Sequence, residues 1–152
     1  VVSVAGHLPP LPRVGAHLQV KPVEEVCWFG RGPHENYPDR LSSADLGDWR
    51  APIGDMHTPY IFPSENGLRS DASRLRFGGV RVQGRFPFSV SPYGFEQLKT
   101  ATHDHQLVRA SHLHMCIDGF HMGVGGDDSW TPSTKPRQLL DAPEYAWAFT
   151  LK

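Results

Sequence analysis

Apolar and polar residues alternate with a period of two along three segments of the chain, residues 12–21, 79–90 and 144–152. This period is typical of strands that bury one face and expose the other, which favours antiparallel sheets. We expect the large aromatic residues of one parity to be buried, namely Phe86, Phe88, Trp147 and Phe149. The apolar positions that share a parity are Val14, Ala16, Leu18 and Val20; Val80, Val82, Phe86, Phe88 and Val90; and Tyr145, Trp147, Phe149 and Leu151.

Two apolar runs, "EEVCWFG" and "HLHMCIDGFHMG", predict further strands. Helix signals are scarce. Residues 95–101 suit one short helix, and Ser42 or Ser43 could cap a turn of helix in "SSADLGDW". The pattern therefore predicts an all-β fold, an antiparallel β-sandwich with at most one or two short helices. The irregular stretches 30–73 and 119–143 are expected to be functional loops or interfaces.

The composition limits the possible partners. The 152 residues predict a single domain, 1–152, and the 15 glycines and 14 prolines indicate many turns. A net charge of −1 favours neither nucleic acid nor a membrane surface as a partner, and no apolar run reaches the ~20 residues that cross a bilayer. The sequence starts without a methionine, which suggests a piece of a longer protein. The two cysteines, Cys27 and Cys116, lie in apolar runs and are predicted to be buried free thiols.

Two turn-rich segments contain carboxylates, "WFGRGPHENYPDR" with Glu35 and "TPYIFPSENGLRSD" with Glu65. A glycosidase could use two such groups as acid and nucleophile, but nothing in the sequence places them at the required separation. We favour a structural role, in which both accept hydrogen bonds from backbone or arginine. A local ion-pair network is a further hypothesis; it would join Arg31, Glu35, Asp39 and Arg40.

Four of the nine histidines form two pairs spaced by two residues, His103 with His105 and His112 with His114. On a strand this spacing places both rings on one face, and Cys116 would extend the second pair. Zinc could use such ligands, but no zinc motif or obvious fourth ligand accompanies them. We therefore predict no metal site in this chain.

The segment "GVGGDDSWTPS" places a tryptophan on a mount of glycines and acids. Gly125 and Gly126 allow positive φ angles, and Asp127, Asp128 and Ser129 can stiffen the turn by bonding nearby amides. An indole held in this way could stack on the apolar face of a sugar. The chemistry also allows Trp130 to fill the core beneath its own loop.

The motifs "LPPLPRVG", "WFGRGPHENYPDR", "TPYIFPSENGLR" and "GFHMGVGGDDSWTPS", in this order, resemble the second half of the C-terminal domain of the large bacterial-type β-galactosidases of glycoside hydrolase family 2. The resemblance runs from about Leu8 to the end of the chain. It implies part of a larger β-sandwich, a supersandwich similar to that of galactose mutarotase. It also implies a cytoplasmic, oligomeric, retaining enzyme that hydrolyses β-galactosides such as lactose.

The same resemblance implies which domains carry the catalytic residues, the metal ions and the sugar contact. The catalytic glutamates lie on a barrel domain absent from this chain, so no residue here is catalytic, and the magnesium and sodium ions of the family are held mainly by other domains. Trp130 corresponds to a tryptophan that stacks on bound sugar. Two alternatives stay open, a stand-alone carbohydrate-binding β-sandwich and a self-contained, mutarotase-like epimerase.

Overall fold

The computed structural model describes residues 1–126 and 134–152. These residues contain one short α-helix, α1 (Phe95–Thr100). They also contain three 3-10 helices, at Ile53–Met56, Asp104–Gln106 and Pro136–Gln138. The remaining regular structure is strand. The strands are β1 (Val2–Ser3), β2 (Arg13–Val20), β3 (Glu25–Gly32), β4 (Asp45–Pro52), β5 (Arg69–Phe77), β6 (Val80–Ser91), β7 (Leu113–His121), β8 (Glu144–Tyr145) and β9 (Phe149–Leu151).

Seven strands form the main sheet, in the order β2-β7-β6-β5-β3-β4, with β9 also paired to β6. The long strand β6 is its centre. It pairs with β5 from Val80 to Phe88, with β7 from Phe88 to Ser91 and with β9 from Val82 to Gly84. Strands β1 and β8 form a separate two-stranded sheet. Every one of these pairings is antiparallel, so the predicted all-β, antiparallel, sandwich-like class is confirmed.

The alternation of apolar and polar residues corresponds to the two faces of the sheet. On β6, Val82, Phe86, Phe88 and Val90 are buried while Arg81, Gln83 and Arg85 are exposed. The ring of Phe88 meets Trp28 edge-on at 5.8 Å between centroids and Phe86 at 6.5 Å. Edge-to-face packing is the favoured geometry for aromatic pairs, and each buried ring stabilises the fold by about 1.5–3 kcal/mol. The burial predicted for Phe86 and Phe88 is confirmed.

The end of the chain differs from its prediction. Trp147 and Phe149 are half-buried, and the continuous strand predicted over residues 144–152 is interrupted. Glu144–Tyr145 pairs with β1, whereas Phe149–Leu151 pairs with β6, so the chain changes sheets between them. Trp147 lies at this crossing, packed against Gly119, where a Cβ atom would stand 2.4 Å from its Cγ. The expectation that both aromatic residues are buried was wrong, because the segment passes from one sheet to the other and does not continue as a single strand.

Strand β4 replaces the turn of helix expected after Ser42 or Ser43. Trp49 pairs with Trp28, and its indole nitrogen donates to the Gly30 carbonyl at 3.1 Å. Pairing with β3 gives Asp45–Pro52 ladder hydrogen bonds on one side of the strand, so tertiary contacts override the local capping signal. The stretch 30–73 is consequently less irregular than predicted.

The helix predicted at residues 95–101 is confirmed as α1. Both cysteines are free; Cys116 is buried as predicted, and Cys27 is half-buried. Burial raises the pKa of the Cys116 thiol to about 11, so it is protonated at neutral pH. Among the described residues, none of the helices has the length and apolar character needed to cross a membrane.

Candidate functional site

A cavity of about 1110 Å³ opens where three segments outside the sheet meet. The first segment, residues 34–43, follows β3; the second, residues 58–65, precedes β5; the third, residues 121–124, continues from β7. Thr134 lines the cavity from the far side of residues 127–133. The described residues on either side of residues 127–133, which include Trp130, therefore both line this cavity. Its polar side chains include Glu35, Tyr37, Arg40, Tyr60, Glu65 and His121.

The Glu35 carboxylate ties the first segment to the second. One oxygen accepts hydrogen bonds from the Gly67 amide at 2.8 Å and the Tyr37 hydroxyl at 3.4 Å, and the other accepts from the Tyr60 hydroxyl. Burial and this bond to Glu35 raise the pKa of Tyr60 to about 12, so the phenol stays a hydrogen-bond donor at neutral pH. With both oxygens engaged by the protein itself, Glu35 serves as an anchor of the cavity wall.

The second segment is also held by amide and guanidinium side chains. Asn66 accepts from the Thr58 amide at 2.9 Å and donates to the Thr58 carbonyl at 2.7 Å, which closes the loop at its base. Buried Arg69 donates to four backbone carbonyls, and burial lowers its pKa to about 10. These carbonyls belong to Pro33, Asp55, Met56 and Gly67. The loop geometry is fixed by side chains that cap main-chain groups.

The Glu65 carboxylate belongs to a cluster of ionisable groups that reaches the cavity wall. Arg13 Nη2 lies 3.0 Å from Glu65 and 3.4 Å from Asp118, and His121 Nε2 lies 3.5 Å from Glu65. Burial alone would raise the pKa of Glu65, but the His121 ring and the Arg13 charge outweigh it and lower that pKa. Burial dominates at Asp118, whose side chain is 2% exposed, and raises its pKa to about 6 despite Arg13.

These contacts confirm that Glu35 and Glu65 accept hydrogen bonds, from backbone and arginine respectively. The hypothesis of a local network among four charged residues was wrong. Arg31 pairs with Asp71 at 2.8 Å, and Asp39 and Arg40 contact backbone near residue 125. The partners lie about 40 and 85 residues away in the sequence, so no local signal could have identified them.

Asp39 and Arg40 hold the third segment. The Asp39 carboxylate accepts from the amides of Val124 at 3.1 Å and Gly125 at 2.7 Å. Arg40 donates to the Gly125 carbonyl through Nε at 3.1 Å and also through Nη2. Sequence reasoning assigned loop support to Gly125 and Gly126 but missed these two side chains.

Gly125 and Gly126 have φ angles of 65° and 86°, in the region that glycine adopts without strain. The prediction that they supply positive φ angles is confirmed. The other residues predicted for this site, Asp127, Asp128, Ser129 and Trp130, lie outside the described residues.

The histidine pairs are close in space. His103 and His105 have ring centroids 5.4 Å apart, His112 and His114 4.6 Å apart, and His17 Nε2 lies 3.0 Å from His114 Nδ1. Burial, with nearby His112 and Arg13, lowers the pKa of His17, and burial with His112 lowers that of His114. Within residues 1–126 and 134–152, no group of three or more His, Cys, Asp or Glu side chains forms a metal-ligand set.

Comparison with known proteins identifies the family. The family model described as "Beta galactosidase small chain" matches residues 1–151. A beta-galactosidase of Aeromonas hydrophila is 49% identical over 156 residues, and one of Vibrio cholerae is 51% identical over 152 residues. One of Pectobacterium atrosepticum is 49% identical over 152 residues.

In each case the match covers 99% of this chain and 15% of the relative, so the chain spans about one seventh of the length of these curated relatives. With a family model that extends over nearly every residue, the chain belongs to the beta galactosidase small chain family.

Proposed function

We propose that this chain is the C-terminal part of a retaining β-galactosidase that hydrolyses terminal β-D-galactosides such as lactose. The observation that supports this most directly is the identity of about 50% to several proteins named beta-galactosidase, over 99% of the chain. Residues 1–152 would form one unit within a larger β-sandwich domain. The other domains of the same polypeptide, and further copies in a homo-oligomer, would be its partners.

Within this enzyme the chain would supply scaffold and one sugar-binding loop, and the catalytic glutamates would lie on another domain. Retaining hydrolysis needs two carboxyl groups ~5–5.5 Å apart with access to the glycosidic bond. Glu35 and Glu65 are instead engaged by protein donors. Trp130 would stack on the galactoside at the cavity whose wall includes Val124 and Thr134.

We assign no ligand for magnesium or sodium to this chain. The magnesium and sodium ions that the family resemblance implies would be held mainly by other domains. We place the enzyme in the cytoplasm, and the free Cys27 and Cys116 are compatible with a reducing compartment.

A comparison of the complete enzyme with the 152-residue chain tests this proposal. The complete enzyme should hydrolyse a chromogenic β-galactoside, and the purified chain should leave it intact. Turnover by the chain that disappears in Glu35→Gln or Glu65→Gln would contradict the proposal. Sugar binding by the chain, together with a complete protein that hydrolyses no galactoside, would favour the stand-alone carbohydrate-binding module instead.

A further inference from the structure

Four consecutive backbone amides, of residues 122–125, follow β7 and all donate hydrogen bonds. Two donate to backbone carbonyls of other segments, and two donate to the Asp39 carboxylate. Met122 donates to the Pro12 carbonyl at 3.0 Å, and Gly123 donates to the Gln138 carbonyl at 2.9 Å. The next two amides, of Val124 and Gly125, donate to the two oxygens of Asp39. The main chain of residues 122–125 is therefore held residue by residue.

The carbonyl side of the same backbone is held by Arg40, which follows Asp39 in the sequence. Its Nε and Nη2 atoms both donate to Gly125 O. Asp39 and Arg40 together therefore bond two amides and one carbonyl of Val124 and Gly125, about 85 residues away in the sequence. Both side chains are charged, and hydrogen bonds with one charged partner are stronger and geometrically more exacting than neutral ones.

The two segments approach so closely that a larger residue at Gly123 or Gly126 would force the Asp39 or Arg40 side chain to shift. A Cβ atom on Gly123 would stand 2.6 Å from Asp39 Oδ2, and one on Gly126 would stand 2.2 Å from Arg40 Nη2. The turn that carries Asp39 and Arg40 is itself tied down, because Gln138 Nε2 donates to the Pro38 carbonyl at 3.3 Å. Gly123 and Gly126 therefore lie against these two side chains, and Gly126 also has a positive φ angle of 86°.

We propose that Asp39 and Arg40 are positioning residues for sugar binding, acting through the backbone of residues 124–126. This rests on the proposed stacking role of Trp130, which follows that backbone in the sequence. Neither side chain is assigned a contact with substrate. Their effect would be to hold the backbone of Val124 and Gly125 in one geometry before sugar binds.

A double-mutant cycle in the complete enzyme tests the proposal, with Asp39→Ala and Trp130→Ala made singly and together. Asp39→Ala should raise the KM for a β-galactoside and the inhibition constant of free galactose by roughly three- to tenfold, with a smaller change in kcat. In the Trp130→Ala background the same change should have little further effect, because the group being positioned is gone. Asp48→Ala is the matched control, since that carboxylate is 78% exposed on β4.

The cycle separates the two proposals. The KM of Trp130→Ala alone tests the stacking role. The difference between the effect of Asp39→Ala in the wild type and in the Trp130→Ala background tests the positioning role of Asp39. An equal loss of affinity in both backgrounds would overturn the positioning role, and so would unchanged KM with a lowered melting temperature. Arg40→Lys is a second, milder variant that keeps the charge and removes the two-pronged donation to Gly125; it should raise KM in the same direction by a smaller factor.

Discussion

Residues 86–90 of β6 and residues 33–40 after β3 are held in place in different ways. On β6, four of five side chains are buried, and Phe88 is in edge-on contact with Trp28. In residues 33–40, Asn36 and Tyr37 are buried while the other residues are partly or fully exposed, and the order comes from side chains that bond distant main-chain groups. Glu35 holds Gly67 in this way, and Asp39 holds Gly125.

The difference indicates what each region tolerates. Apolar burial depends on area and volume, so the sheet responds mainly to changes of side-chain size. The cavity wall depends on the charge and direction of individual polar groups, so isosteric substitutions can disturb it while leaving the core intact. The predictions below use both kinds of substitution.

The largest expected effect is that of Phe88→Ala, which removes a fully buried ring from the centre of the sheet. The lost burial and the cavity left behind should destabilise the fold by about 3–5 kcal/mol. Denaturant titration of the complete enzyme should show an earlier transition with this variant. Phe62→Ala is the matched control, because that ring is 58% exposed and its removal should shift the transition little.

The second prediction concerns pH and Asp118. Burial raises the pKa of this carboxyl from 3.8 to about 6, so the folded chain binds its proton more tightly than the unfolded chain. The associated stability is present below pH ~4 and is lost as pH rises through 6, by a total on the order of 3 kcal/mol. Asp118→Asn should flatten the melting temperature against pH over this window. An unchanged slope would contradict the raised pKa of Asp118 in the folded chain.

A smaller effect is expected for Glu35→Gln, which keeps the size of the side chain and removes its charge. The bonds from Gly67, Tyr37 and Tyr60 would lose a charged acceptor, at a cost of about 1–2 kcal/mol. The pKa of Tyr60 should fall from about 12 towards its ordinary value of 10. Ultraviolet titration of tyrosinate, compared between wild type and variant, measures this change. A difference spectrum without an earlier-titrating tyrosine would contradict the bond to Glu35.

The same contrast explains which features the sequence could predict. The alternation along β6 reflects burial of one face, which depends on nearest neighbours and is visible in a single strand. The parity of Phe86 and Phe88, the strands at Val26 and Met115, and the short helix at Leu98 all followed from such local patterns.

The anchors of the cavity could not be predicted in this way. Asp39 and Gly125 are 86 positions apart, and their meeting depends on how seven strands are ordered in the sheet. The capping signal at Ser42 and Ser43 failed for a related reason, because pairing with β3 outweighs a local preference. At the end of the chain, Trp147 was misjudged because a period of two does not say which sheet a strand joins.

The central proposal is that this chain contributes a sugar-stacking tryptophan to an enzyme whose catalytic glutamates lie on another domain. Its most direct test is the effect of Trp130→Ala in the complete enzyme on galactose affinity and melting temperature, measured together. Stacking on a sugar should contribute on the order of 1 kcal/mol, so affinity should fall by up to roughly tenfold. The melting temperature should stay unchanged, because a side chain that contacts sugar contributes little to the core. Unchanged affinity with a melting temperature lowered by a loss of about 3–5 kcal/mol would instead show that the indole fills the core, and would contradict the account.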